Sequence, residues 1–304
     1  MKSHLLNILA PIDFSEAGKS ALRVAVDLCK QHHAVLHLLF VLENRYIISS
    51  AETDVNRLEM IQEINERART CLYEKYETIL KECELRVQIH MPVGIPYNEI
   101  CCAADEIPIN LIVMGTHGRS GVKEFLVGST TANVIKNTTK SVLTVPSNFE
   151  TPVFRKILFP VRPVKGIIDK YQFMQSFLSG VASSVHIANL YLESEVEERL
   201  FHNDKKELFE MMPLLNDTKL DYSKKLYVCN SFATKVLELS STLPIDLIII
   251  NSCLDYSGID FFAGRYTQEV INYAKIPVLS FRKGFNLFKA TRQEKKPIQY
   301  SFNI

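Results

Sequence analysis

The sequence predicts an α/β protein made of two tandem, doubly wound parallel-sheet domains. Continuous apolar runs of strand length alternate with amphipathic helical patterns, as expected of parallel strands covered on both faces. The connections between them are mostly short. The whole pattern also begins again half-way, where Lys156-Ile157-Leu158-Phe159-Pro160-Val161-Arg162 repeats Asn7-Ile8-Leu9-Ala10-Pro11-Ile12-Asp13. A chain of 304 residues is long enough to bury two such cores.

In the first half, Leu5 to Ala10 reads as a central strand, apolar but for Asn7. Pro11-Ile12-Asp13 ends it, and Asp13 or Ser15 is placed to cap a helix from Glu16 to Lys30 with Ala21, Leu22, Ala25, Leu28 and Cys29 on its inner face. Gly18-Lys19-Ser20 looks like the end of a phosphate-binding Walker loop, but Asp13 stands where the first glycine belongs and the segment reads as helix. Ala34 to Leu42 is the second strand, with His37 expected on the sheet face. A long helix from Asp54 to Glu84 places Leu58, Ile61, Ile64, Ala68, Cys71, Tyr76, Ile79 and Cys83 at helical spacing. The third strand is Leu85 to Met91, and Gly94-Ile95-Pro96 opens a helix to about Asp105.

Residues 110 to 131 hold the stretch with the most chemical information. A buried strand, Leu111 to Met114, runs into Gly115-Thr116-His117-Gly118-Arg119, and after Lys123 the pair Gly128-Ser129 opens a helix to Lys136. Glycines permit close approach of a ligand to the backbone, and the N–H groups that open a helix suit an anion. Ser141 to Pro146 is the fifth strand. In open parallel sheets ligands bind beyond the carboxyl ends of the strands where the strand order reverses. That rule sets Pro11-Ile12-Asp13 beside the glycine loop.

The spacing of Gly115, Gly118, Gly128 and Ser129, with Pro-x-Asp after the first strand, resembles the nucleotide-binding signature of the universal stress protein family over about the first 146 residues. The resemblance implies a Rossmann-like fold, with Ile12, Asp13 and Val41 around adenine and the loop glycines with Ser129 at the phosphates and ribose of ATP. Carried over to this sequence, the cofactor-binding set is Pro11, Ile12, Asp13, Val41, Met114, Gly115, Thr116, His117, Gly118, Arg119, Gly128, Ser129 and Thr130. His117, Arg119 and Lys123 are candidate countercharges for the triphosphate, and Asp13 is a candidate to hold Mg²⁺ through water.

The second half keeps the plan and loses the signature. Its strands are expected at Ser184 to Leu192, Leu220 to Cys229, Asp246 to Ile250 and Pro277 to Phe281, with a helix from Ser231 to Leu243. Arg162 stands for Asp13, Asn251 for Gly115, Leu254 for Gly118 and Gly264-Arg265 for Gly128-Ser129. A leucine at a glycine position brings a side chain into the space a phosphate needs. The preferred reading is a pocket filled by Leu254, Phe261 and Phe262; the alternative is a different anion held by Arg162 and Arg265. The expected division is a domain at 1–148, a degenerate copy at 153–283, and a basic, aromatic tail at 284–304. Ser141 to Val145 and Val278 to Phe281 are candidates to join the two edge to edge.

A net charge of +1 removes bulk attraction to nucleic acid or membrane. Seven scattered cysteines without a Cys-x-x-Cys pair suggest reduced, mostly buried thiols. No span-length apolar run and no secretory pattern occur, so a cytoplasmic location is expected. Function is expected to be ATP binding in a regulatory stress-response role, with the second half as structural partner, protein clients unknown and a homodimer open. The alternatives are an ATP-cleaving enzyme of the same architecture and a nucleotide-free scaffold.

Overall fold

The computed structural model describes residues 5–43, 54–81, 85–116, 127–150, 154–161, 167–179, 181, 183–193, 220–251 and 263–282. In the first half, strands β1 (Asn7–Pro11), β2 (Val35–Leu39), β4 (Val87–His90), β6 (Leu111–Gly115) and β7 (Ser141–Val145) alternate with helices α1 (Glu16–His32), α2 (Asp54–Lys81), α3 (Pro96–Glu106) and α4 (Ser129–Asn137). Two short strands, β3 (Leu42–Glu43) and β5 (Val93–Gly94), pair in a separate ribbon. The second half repeats the series as β8 (Lys156–Val161), α5 (Ile167–Phe177), β9 (Ser184–Leu192), β10 (Asp221–Cys229), α6 (Phe232–Thr242), β11 (Leu247–Asn251), α7 (Ala263–Tyr273) and β12 (Val278–Phe281).

All ten long strands form one sheet in the order β10-β9-β8-β11-β12-β7-β6-β1-β2-β4. Each half contributes five parallel strands in the internal order third, second, first, fourth, fifth. The halves meet where β7 and β12 run antiparallel, with Val278 opposite Thr144, Leu279 opposite Leu143 and Ser280 opposite Val142. The edge-to-edge junction expected from the sequence is therefore present, and two doubly wound sheets become one continuous surface.

The same device starts both halves. Asn110 Oδ1, just before β6, accepts the N–H groups of Leu6 (2.8 Å) and Asn7 (2.9 Å) at the mouth of β1. Asp246, just before β11, accepts those of Arg155 and Lys156 at the mouth of β8, both at 2.9 Å. Strands one and four of each half are thereby fixed in register by a side chain, and the crevice at their opposite ends has a defined width.

The parallel strands are apolar throughout because helices cover both faces. Ile8, Leu36, Leu111 and Val113 face α1 and α2, while Leu9, Leu39, Ile112 and Met114 face α3 and α4. Each fully buried side chain of this size contributes about 1.5–3 kcal/mol. The expected inner face of α1 is buried as predicted. Among the described side chains of α2, Leu72 and Tyr76 are buried, whereas Cys71 is exposed. A period of 3.6 leaves adjacent positions competing for one face, and the larger apolar side chain takes it. Among the described cysteines only Cys29 and Cys229 are buried, so the expectation of mostly buried thiols does not hold for Cys71 and Cys102.

Further contacts lock the halves together behind the sheet junction. At the end of α1, Gln31 Nε2 donates to the carbonyls of Phe177 (3.3 Å) and Ser179 (3.1 Å), and His32 Nε2 to that of Phe177 (3.0 Å). The Phe177 carbonyl is one that the last turn of α5 leaves without a helical partner, and that of Ser179 lies just beyond it.

His37 lies on the sheet face, as anticipated, in a chain of side chains: Nε2 meets Asn7 Oδ1 at 3.0 Å and Nδ1 meets His90 Nε2 at 3.1 Å. Burial, and then the neighbouring His90, pull its pKa down to about 4, and burial lowers His90 as well. Above pH 6.5 both imidazoles are neutral in either state of the chain. As pH falls from 6.5 towards 4, the unfolded chain takes up protons that the folded one resists, so stability is lost across that window. A loss of about 2 kcal/mol is expected in urea denaturation between pH 7.5 and pH 4.5, and His37→Gln should remove most of that slope.

Candidate functional site

The strand order reverses between β1 and β6, which are hydrogen-bonded neighbours with Ile8 opposite Leu111 and Leu9 opposite Ile112. Their carboxyl ends bring Pro11, Ile12 and Asp13 beside Met114, Gly115 and Thr116, with Val41 following β2 on the other flank of β1. Met114 is buried in the α3-side core, and Val41 packs partly buried against the same cluster. Together they make an apolar wall. Ile12 does not join it: its side chain is buried in the α1-side core, and its N–H donates to Leu39 O at 2.9 Å. What Ile12 lends to the strand ends is main chain.

Asp13 organises the turn between β1 and α1. Its Oδ1 accepts the N–H of Ser15 at 3.0 Å and the hydroxyl of Ser15 at 2.6 Å. Ser15 Oγ in turn accepts from Gly18 N at 3.0 Å and is the N-cap of α1. A Cβ on Gly18 would stand 2.8 Å from Asp13 Oδ1 and 3.2 Å from Ser15 Oγ. Gly18 is thus a glycine because a carboxylate and a hydroxyl nest against it within a helix, which accounts for the false Walker signal.

The residue between them, Phe14, holds a left-handed φ of 63° that a non-glycine residue seldom adopts. Its ring lies 5.0 Å from that of Phe40 and stacks at 6.0 Å on that of Tyr76 from α2. Tyr76 is fully buried, and its hydroxyl has no hydrogen-bond partner among the described residues. Burial, followed by the charges of Asp13 and Glu16, pushes that phenol upward and keeps it neutral. The aromatic stack anchors the side chain of Phe14 and so offsets the strain of the turn. Nothing in the sequence marked Phe14 or Tyr76 for this role beyond the aromatic residue types.

On the other side, Thr116 is buried; its N–H donates to Val145 O at 3.0 Å, and its carbonyl accepts from Gly128 N at 2.8 Å. The two ends of the glycine loop are therefore tied directly together. Gly128 is the N-cap of α4 and, having no side chain, supplies no capping hydrogen bond. The first-turn N–H groups of α4 have no partner within the helix. Ser129 is exposed, Thr130 half-buried, and Thr131 Oγ1 donates back to Gly115 O at 2.8 Å. His117, Gly118, Arg119 and Lys123 lie outside the described residues.

Gly115 has a second reason to be glycine. A Cβ there would meet the main chain of Ala17 in α1, 2.7 Å from its carbonyl carbon and 2.9 Å from its oxygen. The bare backbone lets α1 lie against β6.

In the second half the same stitch recurs: Thr267 Oγ1 in α7 donates to Asn251 O at 3.2 Å, again across sixteen residues. Asn251 thus occupies the place of Gly115, and its Oδ1 is buried without a hydrogen-bond partner among the described residues, as is Oδ1 of Asn189 in β9, opposite Val161 at the end of β8. Lys170, from α5, is 3% exposed; Nζ donates to Pro160 O at 2.7 Å and sits 4.2 Å from the centre of the Phe159 ring. Burial lowers its pKa to about 7. Arg162, Leu254, Phe261 and Phe262, and the side chain of Arg265, lie outside the described residues.

The sequence model of the universal stress protein family matches residues 5–146. A universal stress protein of Methanocaldococcus jannaschii is 37% identical over 152 residues, which span 45% of this chain and 93% of that protein. The chain belongs to the universal stress protein family. A second such protein of the same organism is 30% identical over 139 residues, 80% of its length. The crystal structure of a universal stress protein from Archaeoglobus fulgidus, 19% identical, covers 93% of this chain and 100% of its own with a TM-score of 0.71. That likeness concerns the fold, and it extends over nearly the whole of this universal stress protein.

Among the described residues of this universal stress protein, no cluster of three or more His, Cys, Asp or Glu side chains could hold a metal ion. No helix among them is long and apolar enough to cross a membrane. The first-half crevice offers an apolar wall, a carboxylate fixed by its own turn and an uncapped helix N-terminus. A ligand with a flat apolar part, a hydrogen-bond donor and an anionic group matches that set.

Proposed function

We propose that this universal stress protein binds ATP in its first half, at the carboxyl ends of β1 and β6. The observation that carries the reading is the start of α4: Gly128 lacks a capping side chain and is tied to Thr116, which follows β6, the neighbour of the strand that Asp13 follows. Val41 and Met114 would flank adenine, and Asp13 would accept from its exocyclic amine. Gly115, Thr116, Gly128, Ser129 and Thr130 would meet ribose and phosphates with main-chain and hydroxyl donors, together with His117, Gly118 and Arg119 from the intervening segment. A Mg²⁺ ion carried with the nucleotide would be reached by Asp13 through water.

The role proposed for the nucleotide is regulatory, in stress response, in the cytoplasm, and we assign no catalytic residue. The division into a nucleotide-binding unit at 1–148, a structural partner at 153–283 and a tail at 284–304 belongs to the same proposal. Denaturing the purified protein and identifying the released small molecule by mass spectrometry is expected to yield an adenine nucleotide. Gly118→Leu, which copies the second half, is expected to abolish ATP binding in calorimetric titration while far-ultraviolet circular dichroism stays unchanged. Normal ATP affinity in that variant would refute the phosphate placement, and no ATP binding by the unaltered protein would refute the function.

A further inference from the structure

Helix α4, whose N-terminus carries the proposed phosphate contacts, is held at both ends by the other half of the chain. At its start the N–H of Val127, one residue before the N-cap, donates to Oδ1 of Asn272 in the last turn of α7 at 3.0 Å. At its end the guanidinium of Arg282, just after β12, donates to the carbonyls of Ile135 (2.8 Å) and Lys136 (3.3 Å). Those carbonyls belong to the last turn, which has no helical donors left for them. Between these two grips, Val127 and Ile135 pack against the second-half core cluster that contains Val270, Ile271 and Val278.

The first half holds the same helix through Gly128 N on Thr116 O, Thr131 Oγ1 on Gly115 O and the burial of Val134 in the α3-side core. Both halves therefore fix Gly128 and Ser129, from opposite sides. Displacing Val127 shifts the adjacent N–H groups, and a misplacement of under an ångström weakens hydrogen bonds to an anion.

We infer that the degenerate second half positions α4 for nucleotide binding, with Asn272 as the positioning residue at the phosphate end and Arg282 as its counterpart at the far end. The inference rests on the ATP reading given above and adds a direction to it. Asn272 bonds to no group proposed to meet the nucleotide; it acts through Val127. Because coupling free energies are reciprocal, ATP bound in the first half must in turn tighten the seating of α7. A second half that has lost its glycine signature then still takes part in binding, as the other jaw around α4.

The test uses the full chain. ATP affinity is measured by titration calorimetry for the unaltered protein, Asn272→Ala and Arg282→Ala, and amide deuterium exchange across α4 and α7 is followed with and without ATP. Asn272→Ala is expected to bind ATP about 5- to 10-fold more weakly. ATP is expected to slow exchange in α7 of the unaltered protein and to lose that effect in Asn272→Ala, a readout that a purely structural contact would not move. Arg282→Ala should weaken ATP in the same direction, and Asn272→Ser keeps the comparison open should the alanine variant fold poorly. If the unaltered protein binds ATP and the Asn272 variants bind it equally well with unchanged protection of α7, the inference is wrong while the ATP site stands. If the unaltered protein binds no ATP, the site itself fails.

Discussion

Gly115→Ala is expected to destabilise the protein by about 2–3 kcal/mol and to weaken ATP at least about tenfold. The added carbon would lie 2.7 Å from the carbonyl carbon of Ala17, 2.8 Å from its Cβ and 2.9 Å from its oxygen, all closer than carbon atoms are found in folded proteins. Two of those atoms are main chain inside the first turn of α1, so no rotamer change relieves the contact; the helix must retreat from β6. That turn begins at Ser15, whose hydroxyl and N–H both bond to Asp13, so the retreat also drags the carboxylate proposed to face adenine. Gly94→Ala is the fitting control. There the added carbon meets only the side chain of Glu99, which can swing away, and a loss below about 1 kcal/mol is expected. Urea denaturation of both variants, with calorimetric ATP titration, decides the matter. Equal stability of the two would mean that α1 is free to slide on β6, against the packing described above.

Gly115 also shows where sequence reasoning stops. The strands were legible because parallel strands buried on both faces leave runs such as Leu111 to Met114 with no polar interruption, and the duplication was legible because Phe159-Pro160-Val161 repeats Ala10-Pro11-Ile12 in register. The glycine was legible as a feature but its cause was not: spacing pointed to a phosphate, whereas the structure shows a helix resting on it as well. Gly18 makes the same point in reverse, since a nesting carboxylate can demand a glycine as firmly as a phosphate can. The resemblance sets Ile12 around adenine together with Val41, but the side chain of Ile12 is buried in the α1-side core whereas Val41 packs on the α3 side. Asn272 carried no signal at all. A carboxamide in the last turn of a helix is ordinarily solvated, and only the antiparallel junction of β7 with β12 brings it to Val127, 145 residues away.

Lys170→Met is expected to make the protein about 2 kcal/mol more stable at pH 7, an advantage that shrinks as pH rises towards 10. In α5 this lysine is buried over Phe159 with its amine on Pro160 O. Burial lowers its pKa to about 7 from an ordinary value of 10.5, so below pH 7 both folded and unfolded chains carry the proton and the folded chain bears the whole cost of burying it. Between pH 7 and 10.5 the unfolded chain keeps the proton and the folded chain does not, so folding becomes more favourable as pH rises. Methionine fills nearly the same volume without a charge and has no such dependence. It also leaves the carbonyl of Pro160 without its donor, a loss of about 1 kcal/mol that keeps the net gain below the full linkage value. Urea denaturation of both proteins at pH 6.5, 8 and 9.5 should give converging stabilities, with the unaltered protein rising and the variant flat. Parallel curves would mean that the ammonium reaches water in the folded state, and the buried placement of Lys170 between β8 and α5 would then be wrong.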